Sequence, residues 1–270
     1  MTVPFNRRLR EVSRKRNSLL CVGLDPDPEK LPPHLDGNIL RFNLAIVKAT
    51  APYAAAFKLN AAFYEALGEH GLQALRATIE AIPSDVITIY DAKRGDIGNS
   101  SRFYARAAFD LLGCDAVTVN PYMGYDAVEP FLRNPGFGAF VLCLTSNPSA
   151  SDFQMARVDG APLYERVALA AREWNGAENC GLVVGATRPE PVRALRELVP
   201  ELPFLVPGIG AQGGDVAAAV SAATDSEGLG ALFNVSRGIL YASAGEDFAE
   251  AAASEARRLR DEINQHRGSN

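Results

Sequence analysis

Short, nearly unbroken apolar runs recur along the chain, separated by longer stretches whose apolar residues fall at helical spacing. Eight runs predict strands: LLCVGLD (19–25), AAFKLN (55–60), VITIYDAK (86–93), DAVTVN (115–120), AFVLCLTS (139–146), GLVVGA (181–186), PFLVPGI (203–209) and ALFNVS (231–236). Continuous hydrophobic runs of this kind suit parallel strands covered on both faces. Helices are predicted over about 37–53, 61–82, 99–112, 125–133, 162–178, 189–199, 214–223 and 246–266. Eightfold strand–helix alternation is the pattern of a (β/α)8 TIM barrel. A doubly wound sheet is the alternative, but it usually has fewer strands of this kind. No linker or composition shift divides residues 1–270, so a single domain is expected.

Two segments fall outside the alternation. Phe5, Leu9 and Val12 share one helical face and predict an extra amphipathic helix before the first strand. The basic residues Arg7, Arg8, Arg10, Arg14, Lys15 and Arg16 ahead of LLCVGL faintly resemble a signal peptide. The apolar run is too short for one, however, and ends in Asp25-Pro26. The second segment, 147–180, is longer than most connections between a strand and the next helix. At the C-terminal end of a barrel strand it would serve as a lid or substrate loop; a plain surface insertion is the alternative.

Composition narrows the function classes. Of 270 residues, 47% are hydrophobic and 22% charged, which suits a folded soluble domain and not a disordered chain. Lys and Arg number 27 against 32 Asp and Glu, for a net charge of −5. That balance argues against general nucleic-acid binding but leaves room for a small anionic ligand. No run approaches the ~18 apolar residues of a membrane span. His34, His70 and His266 form no metal-binding pair, and no GxSxG elbow is present. Cys21, Cys114, Cys143 and Cys180 lack CxxC spacing and read as buried small hydrophobes in a reducing, cytoplasmic setting.

Barrel enzymes carry their chemistry at the C-terminal strand ends, which directs the search. The candidates there are Asp25, Lys58, Asp91, Lys93, Asp96, Thr145, Ser146, Gln212 and Arg237. Asp91 and Lys93 lie two apart on the parity of Ile87 and Ile89, so that face should point into the barrel. Charges placed there need partners, and Lys58 and Asp96 can supply them. A structural ion network at the rim is the other explanation.

The stretch PGIGAQGGD (207–215) satisfies GxGxxG through Gly208, Gly210 and Gly213, but follows the seventh strand and not the first. The next strand ends in Ser236-Arg237 instead of the acid that a dinucleotide fold needs. A backbone cradle for phosphate, with Arg237 gripping the same anion, fits better; an ordinary glycine-rich turn is the alternative. Arg94-Gly95-Asp96 is a coincidental RGD tripeptide, and Phe103, Tyr104 and Phe109 read as core packing.

YDAKRGDIGNS (90–100) closely resembles the DxKxxDIxxT signature of orotidine 5′-phosphate decarboxylases, in their longer bacterial subgroup. GLD (23–25), FKLN (57–60), TSNPSA (145–150), PGIGAQGGD (207–215) and SRGILY (236–241) match in order and spacing. DxKxxD alone is shared with metal-dependent sugar-phosphate lyases of the same superfamily; the combined set is more specific. The resemblance implies decarboxylation of orotidine 5′-monophosphate to UMP in pyrimidine biosynthesis, without a metal or other cofactor. It implies ribose contacts from Asp25 and Lys58, Asp91 beside the substrate carboxylate, and Lys93 as proton donor to C6. Ser146 would bind the pyrimidine, with Pro207, Gln212 and Arg237 at the phosphate. Asp96 and Ser100 would reach the neighbouring site of a homodimer. Ser100 stands where the family has Thr, keeping the hydroxyl and losing a methyl. Outside this class, the alternatives are a nicotinamide oxidoreductase and a catalytically inert phosphate-binding barrel.

Overall fold

The computed structural model describes residues 2–209 and 216–268. Eight parallel strands close into a barrel: β1 (Leu20–Gly23), β2 (Ala56–Asn60), β3 (Ile87–Arg94), β4 (Ala116–Val119), β5 (Gly138–Leu144), β8 (Cys180–Val184), β9 (Phe204–Pro207) and β10 (Ala231–Val235). The remaining two, β6 (Arg157–Val158) and β7 (Ala161–Pro162), pair as a minimal antiparallel hairpin in the long connection after β5. Around the ring, β1 is hydrogen-bonded to β2 on one side and to β10 on the other. All eight predicted strands are present, with most ends shifted by one or two residues; β3, β5 and β8 each reach one residue beyond the predicted range at one end.

The strand pleat sorts side chains into two apolar layers. Outward positions such as Val22, Phe57, Tyr90, Val117 and Phe233 pack against the helices. Inward positions Cys21, Ala56, Ile87, Ile89, Ala116, Phe140, Val183, Leu205 and Leu232 fill the barrel floor. Continued towards the C-terminal mouth, this inward parity carries Lys58 after Ala56, Asp91 after Ile89, Thr118 after Ala116 and Asn234 after Leu232. The interior is thus dry at one end and polar at the other.

Helix α1 (Phe5–Lys15) seals the dry end. Phe5 and Leu9 are buried in the floor layer, and the Phe5 ring meets Phe140 edge-on at 5.9 Å. A side chain at residue 138 would collide with that ring: a Cβ there would lie 2.3 Å from Phe5 Cδ1, so Gly138 makes the seat. The basic residues of α1 and the Arg16 that caps it turn outward onto carboxylates of the loops beneath: Arg8 to Asp115 at 2.7 Å, Arg10 to Asp225 and Glu227, Arg16 to Asp85 at 2.8 Å. Such partly exposed pairs contribute little each; the buried apolar face holds the helix.

The outer layer runs α2 (Ile39–Thr50), α3 (Ala61–Glu65), α4 (Gly68–Ala81), α5 (Gly98–Arg106), α6 (Tyr125–Leu132), α7 (Ala150–Phe153), α8 (Leu163–Trp174), α9 (Pro189–Leu198), α10 (Val216–Ala223), α11 (Arg237–Leu240) and α12 (Phe248–His266). The single helix expected over 61–82 is two, because the chain turns left-handed at Gly68 (φ 62°). The helix expected to 112 passes at Ala107 into a wider π turn. Phe109 stacks on Phe137 at 4.5 Å as core, but Phe103 and Tyr104 lie on the outer face, 60% and 38% exposed, correcting their reading as core residues. All four cysteines are buried and unpaired. Among the described residues, no helix is long and apolar enough to cross a membrane.

Candidate active site

Lys58, on β2, is 4% exposed, and its ammonium donates to Asp91 Oδ2 at 2.9 Å while lying 3.6 Å from Asp25 Oδ1. From the other side, Lys93 Nζ donates to Asp91 Oδ1 at 2.8 Å. The array therefore runs Asp25–Lys58–Asp91–Lys93 across the mouth of three neighbouring strands. Burial opposes the charge on Asp91, but Lys58 and Lys93 outweigh it and hold the carboxyl down at about 2. Burial likewise opposes the Lys58 ammonium, and Asp25 and Asp91 more than compensate, so its pKa is raised. Both groups are charged at neutral pH. Cys21 beneath them is pushed up to about 12, chiefly by burial, and stays a neutral thiol.

The expectation that Asp96 partners the lysines is not met within one chain. Its side chain accepts the Ile97 N–H at 2.7 Å and pairs with no cation among the described residues. Asp25 takes that place beside Lys58. Asp96 is half-buried, and Ser100 is exposed in the first turn of α5.

Asp25 also accepts the Asn60 N–H at 3.2 Å. Tyr241 fixes the loop that follows: its hydroxyl accepts the Asp27 N–H at 2.8 Å. Ser146, just past β5, lies against the ends of β8 and β9. A Cβ at residue 185 would approach Ser146 N to 2.8 Å, and one at residue 208 would lie 3.7 Å from its Oγ. Pro207 ends β9 and accepts the Ala186 N–H at 3.0 Å. Arg237 opens α11 with its side chain exposed and no ion pair among the described residues. The buried Ser236 Oγ next to it also lacks a partner there. Gln212, with Gly210 and Gly213, lies outside the described residues.

The long connection after β5 is anchored at its root. The Gln154 side chain accepts the Thr145 N–H at 2.8 Å and donates to Thr145 Oγ1 at 2.8 Å. Between this segment and the β4 end opens a cavity of about 540 Å³, lined by Asn120, Tyr122, Leu142, Thr145, Gln154 and Tyr164 among others. The sequence assigned no role to Thr118, Tyr241 or Ser236, although Ser236 and Tyr241 bound the matched stretch SRGILY and Thr118 is the one hydroxyl in the apolar run of β4.

The sequence model of the orotidine 5′-phosphate decarboxylase / HUMPS family matches residues 18–253. An orotidine 5′-phosphate decarboxylase of Dehalococcoides mccartyi is 51% identical over 267 residues, covering 97% of this chain and 98% of the relative. The enzyme of that name from Aromatoleum aromaticum is 53% identical over 269 residues, covering 97% and 99%. Among solved structures, the OMP decarboxylase of Leishmania donovani superposes with a TM-score of 0.88 at 40% identity, covering 99% of this chain and 100% of that one.

Proposed function

The chain belongs to the orotidine 5′-phosphate decarboxylase / HUMPS family, and on that premise we propose that it converts orotidine 5′-monophosphate to UMP and CO2. The observation that carries this reading is the Asp25–Lys58–Asp91–Lys93 array at the barrel mouth. The C6–carboxylate bond breaks, its electron pair stays on C6, and a proton from Lys93 Nζ replaces the departing CO2. The developing carbanion has little delocalisation, so the protein must supply fixed charge. Lys93 is such a charge, and it acts most strongly once water is excluded. Asp91, held ionised by its lysines, crowds the substrate carboxylate and is relieved as CO2 leaves. Asp25 and Lys58 hold the ribose. Ser146 meets the pyrimidine, and Pro207, Gln212 and Arg237 meet the phosphate. Phosphate binding far from C6 is then used to order the site around the reacting bond.

The reading includes a homodimer. Ile97, Phe103, Tyr122 and Met123, on the segments after β3 and β4, are 60%, 60%, 87% and 46% exposed. An apolar face beside Asp96 and Ser100 suits a second copy whose site those residues complete. The unpaired buried cysteines suit a cytoplasmic setting.

The test is the ultraviolet absorbance of orotidine 5′-monophosphate incubated with the protein in EDTA. Loss of substrate absorbance with formation of UMP is expected. Turnover abolished by EDTA and restored by a divalent metal would favour the sugar-phosphate lyase branch. Unchanged absorbance with UMP still bound would mean an inert barrel.

A further inference from the structure

We infer that Thr118 is a positioning residue for the Asp91–Lys93 pair, setting the carboxylate and the proton donor in one rigid ring; this rests on the decarboxylase reading above. β3 and β4 fall out of step at this point: Tyr90 pairs with Val117, but the next pair is Arg94 with Val119. Three residues of β3 therefore stand against Thr118 alone, which is a bulge. Lys93 sits in it with φ 47°, a left-handed conformation uncommon for a side-chain-bearing residue. Its N–H has no place in the regular ladder. The Thr118 hydroxyl accepts it instead, at 2.9 Å.

That hydroxyl has one proton to give. Its oxygen lies 2.8 Å from Asp91 Oδ1, and an ionised carboxylate only accepts, so the O–H points at Asp91. The same Oδ1 receives Lys93 Nζ at 2.8 Å, and Lys58 Nζ holds Oδ2 at 2.9 Å. The bonds close a circuit from the Lys93 backbone, through Thr118 and Asp91, back to the Lys93 ammonium. Thr118 is 1% exposed, so water cannot easily replace its hydroxyl. It sits on the inward parity of β4, one pleat above Ala116, where packing alone would favour an aliphatic side chain. A threonine there fixes the Asp91 carboxylate plane and the strained Lys93 backbone together, and so aims the ammonium.

Thr118→Val keeps the shape and removes the hydroxyl; Thr118→Ser keeps the hydroxyl. In Thr118→Val, kcat should fall about 10- to 100-fold, as for loss of a hydrogen bond to a charged group. UMP affinity should stay within about twofold, because the ribose and phosphate contacts are untouched. Exchange of the Lys93 amide hydrogen should accelerate about tenfold or more, since its acceptor is gone. Thr118→Ser should restore both kcat and amide protection. Wild-type kcat in Thr118→Val, or an unaltered Lys93 exchange rate, overturns the role of Thr118. Wild-type protein that leaves orotidine 5′-monophosphate unconsumed refutes the activity itself, so the two failures are distinct.

Discussion

Replacing Lys58 with methionine isolates what the central lysine does for the array. Its ammonium lies 2.9 Å from Asp91 and 3.6 Å from Asp25. At an effective dielectric of about 20, these separations give gross attractions of about 6 and 5 kcal/mol. Desolvating the buried lysine cancels much of that, and breaking a buried pair from one side typically costs about 3–5 kcal/mol. The variant should lose that much in urea denaturation at pH 7. In the wild type, Asp91 has a folded pKa of about 2, below its unfolded value. Its contribution, about 2.5 kcal/mol, is complete above pH ~5 and is lost as pH falls from there towards 2. In the variant, burial still opposes the Asp91 charge and the attraction of Lys58 is gone, so the folded pKa of Asp91 rises from its wild-type value, with Lys93 and Thr118 still holding it. The variant therefore loses less stability than the wild type as pH falls towards 2. The gap between them should shrink between about pH 5 and pH 3, by at most about 1.4 kcal/mol per pH unit. A gap under about 1 kcal/mol at pH 7, or one that widens towards pH 3, would refute the reasoning.

Three further outcomes are expected. Arg237→Ala should lower kcat/KM by about 3 kcal/mol, near 100-fold, with added phosphite dianion restoring part of it; an unchanged kcat/KM would remove Arg237 from the phosphate site. Lys93→Ala and Asp96→Ala should each be inactive alone, yet mixing them should regain activity, because shared sites leave one hybrid site intact; a mixture as inactive as its components argues against sharing. Phe5→Ala should cost about 3–5 kcal/mol in thermal or urea unfolding without changing KM, since it empties the floor of the barrel and not its mouth.

The fold was legible because parallel strands buried on both faces leave short continuous apolar runs, and eight of them alternate here with helical stretches. The inward parity of β3 was equally plain, since Ile87 and Ile89 precede Asp91 at two-residue steps. Other features arise from geometry that spacing does not encode. Asp25 meets Lys58 because the ring closes β1 beside β2, and Thr118 meets Lys93 because of a bulge in one strand pair. The hairpin β6–β7 has two residues per strand, too few to leave an alternating pattern. Phe103 and Tyr104 carry the same chemistry as core aromatics, and only the path of α5 decides that they face outward. The basic cluster on α1 found its partners in loops far along the chain, Arg10 with Asp225 and Arg7 with Glu178.

The seal formed by α1 also orders events during folding. This helix precedes every strand and is therefore made before any of them. Its seat, however, is assembled from strands throughout the chain: Cys21 at one extreme and Leu232 at the other. Phe5 can find its pocket only when the last strand has joined the first. Until then the nascent chain carries an unburied apolar stripe flanked by arginines, a surface that chaperones or anionic surfaces could hold. Docking of Phe5 is thus a late event that reports closure of the ring. A probe of its environment would time the completion of the barrel, where far-ultraviolet signals would register secondary structure wherever along the chain it formed.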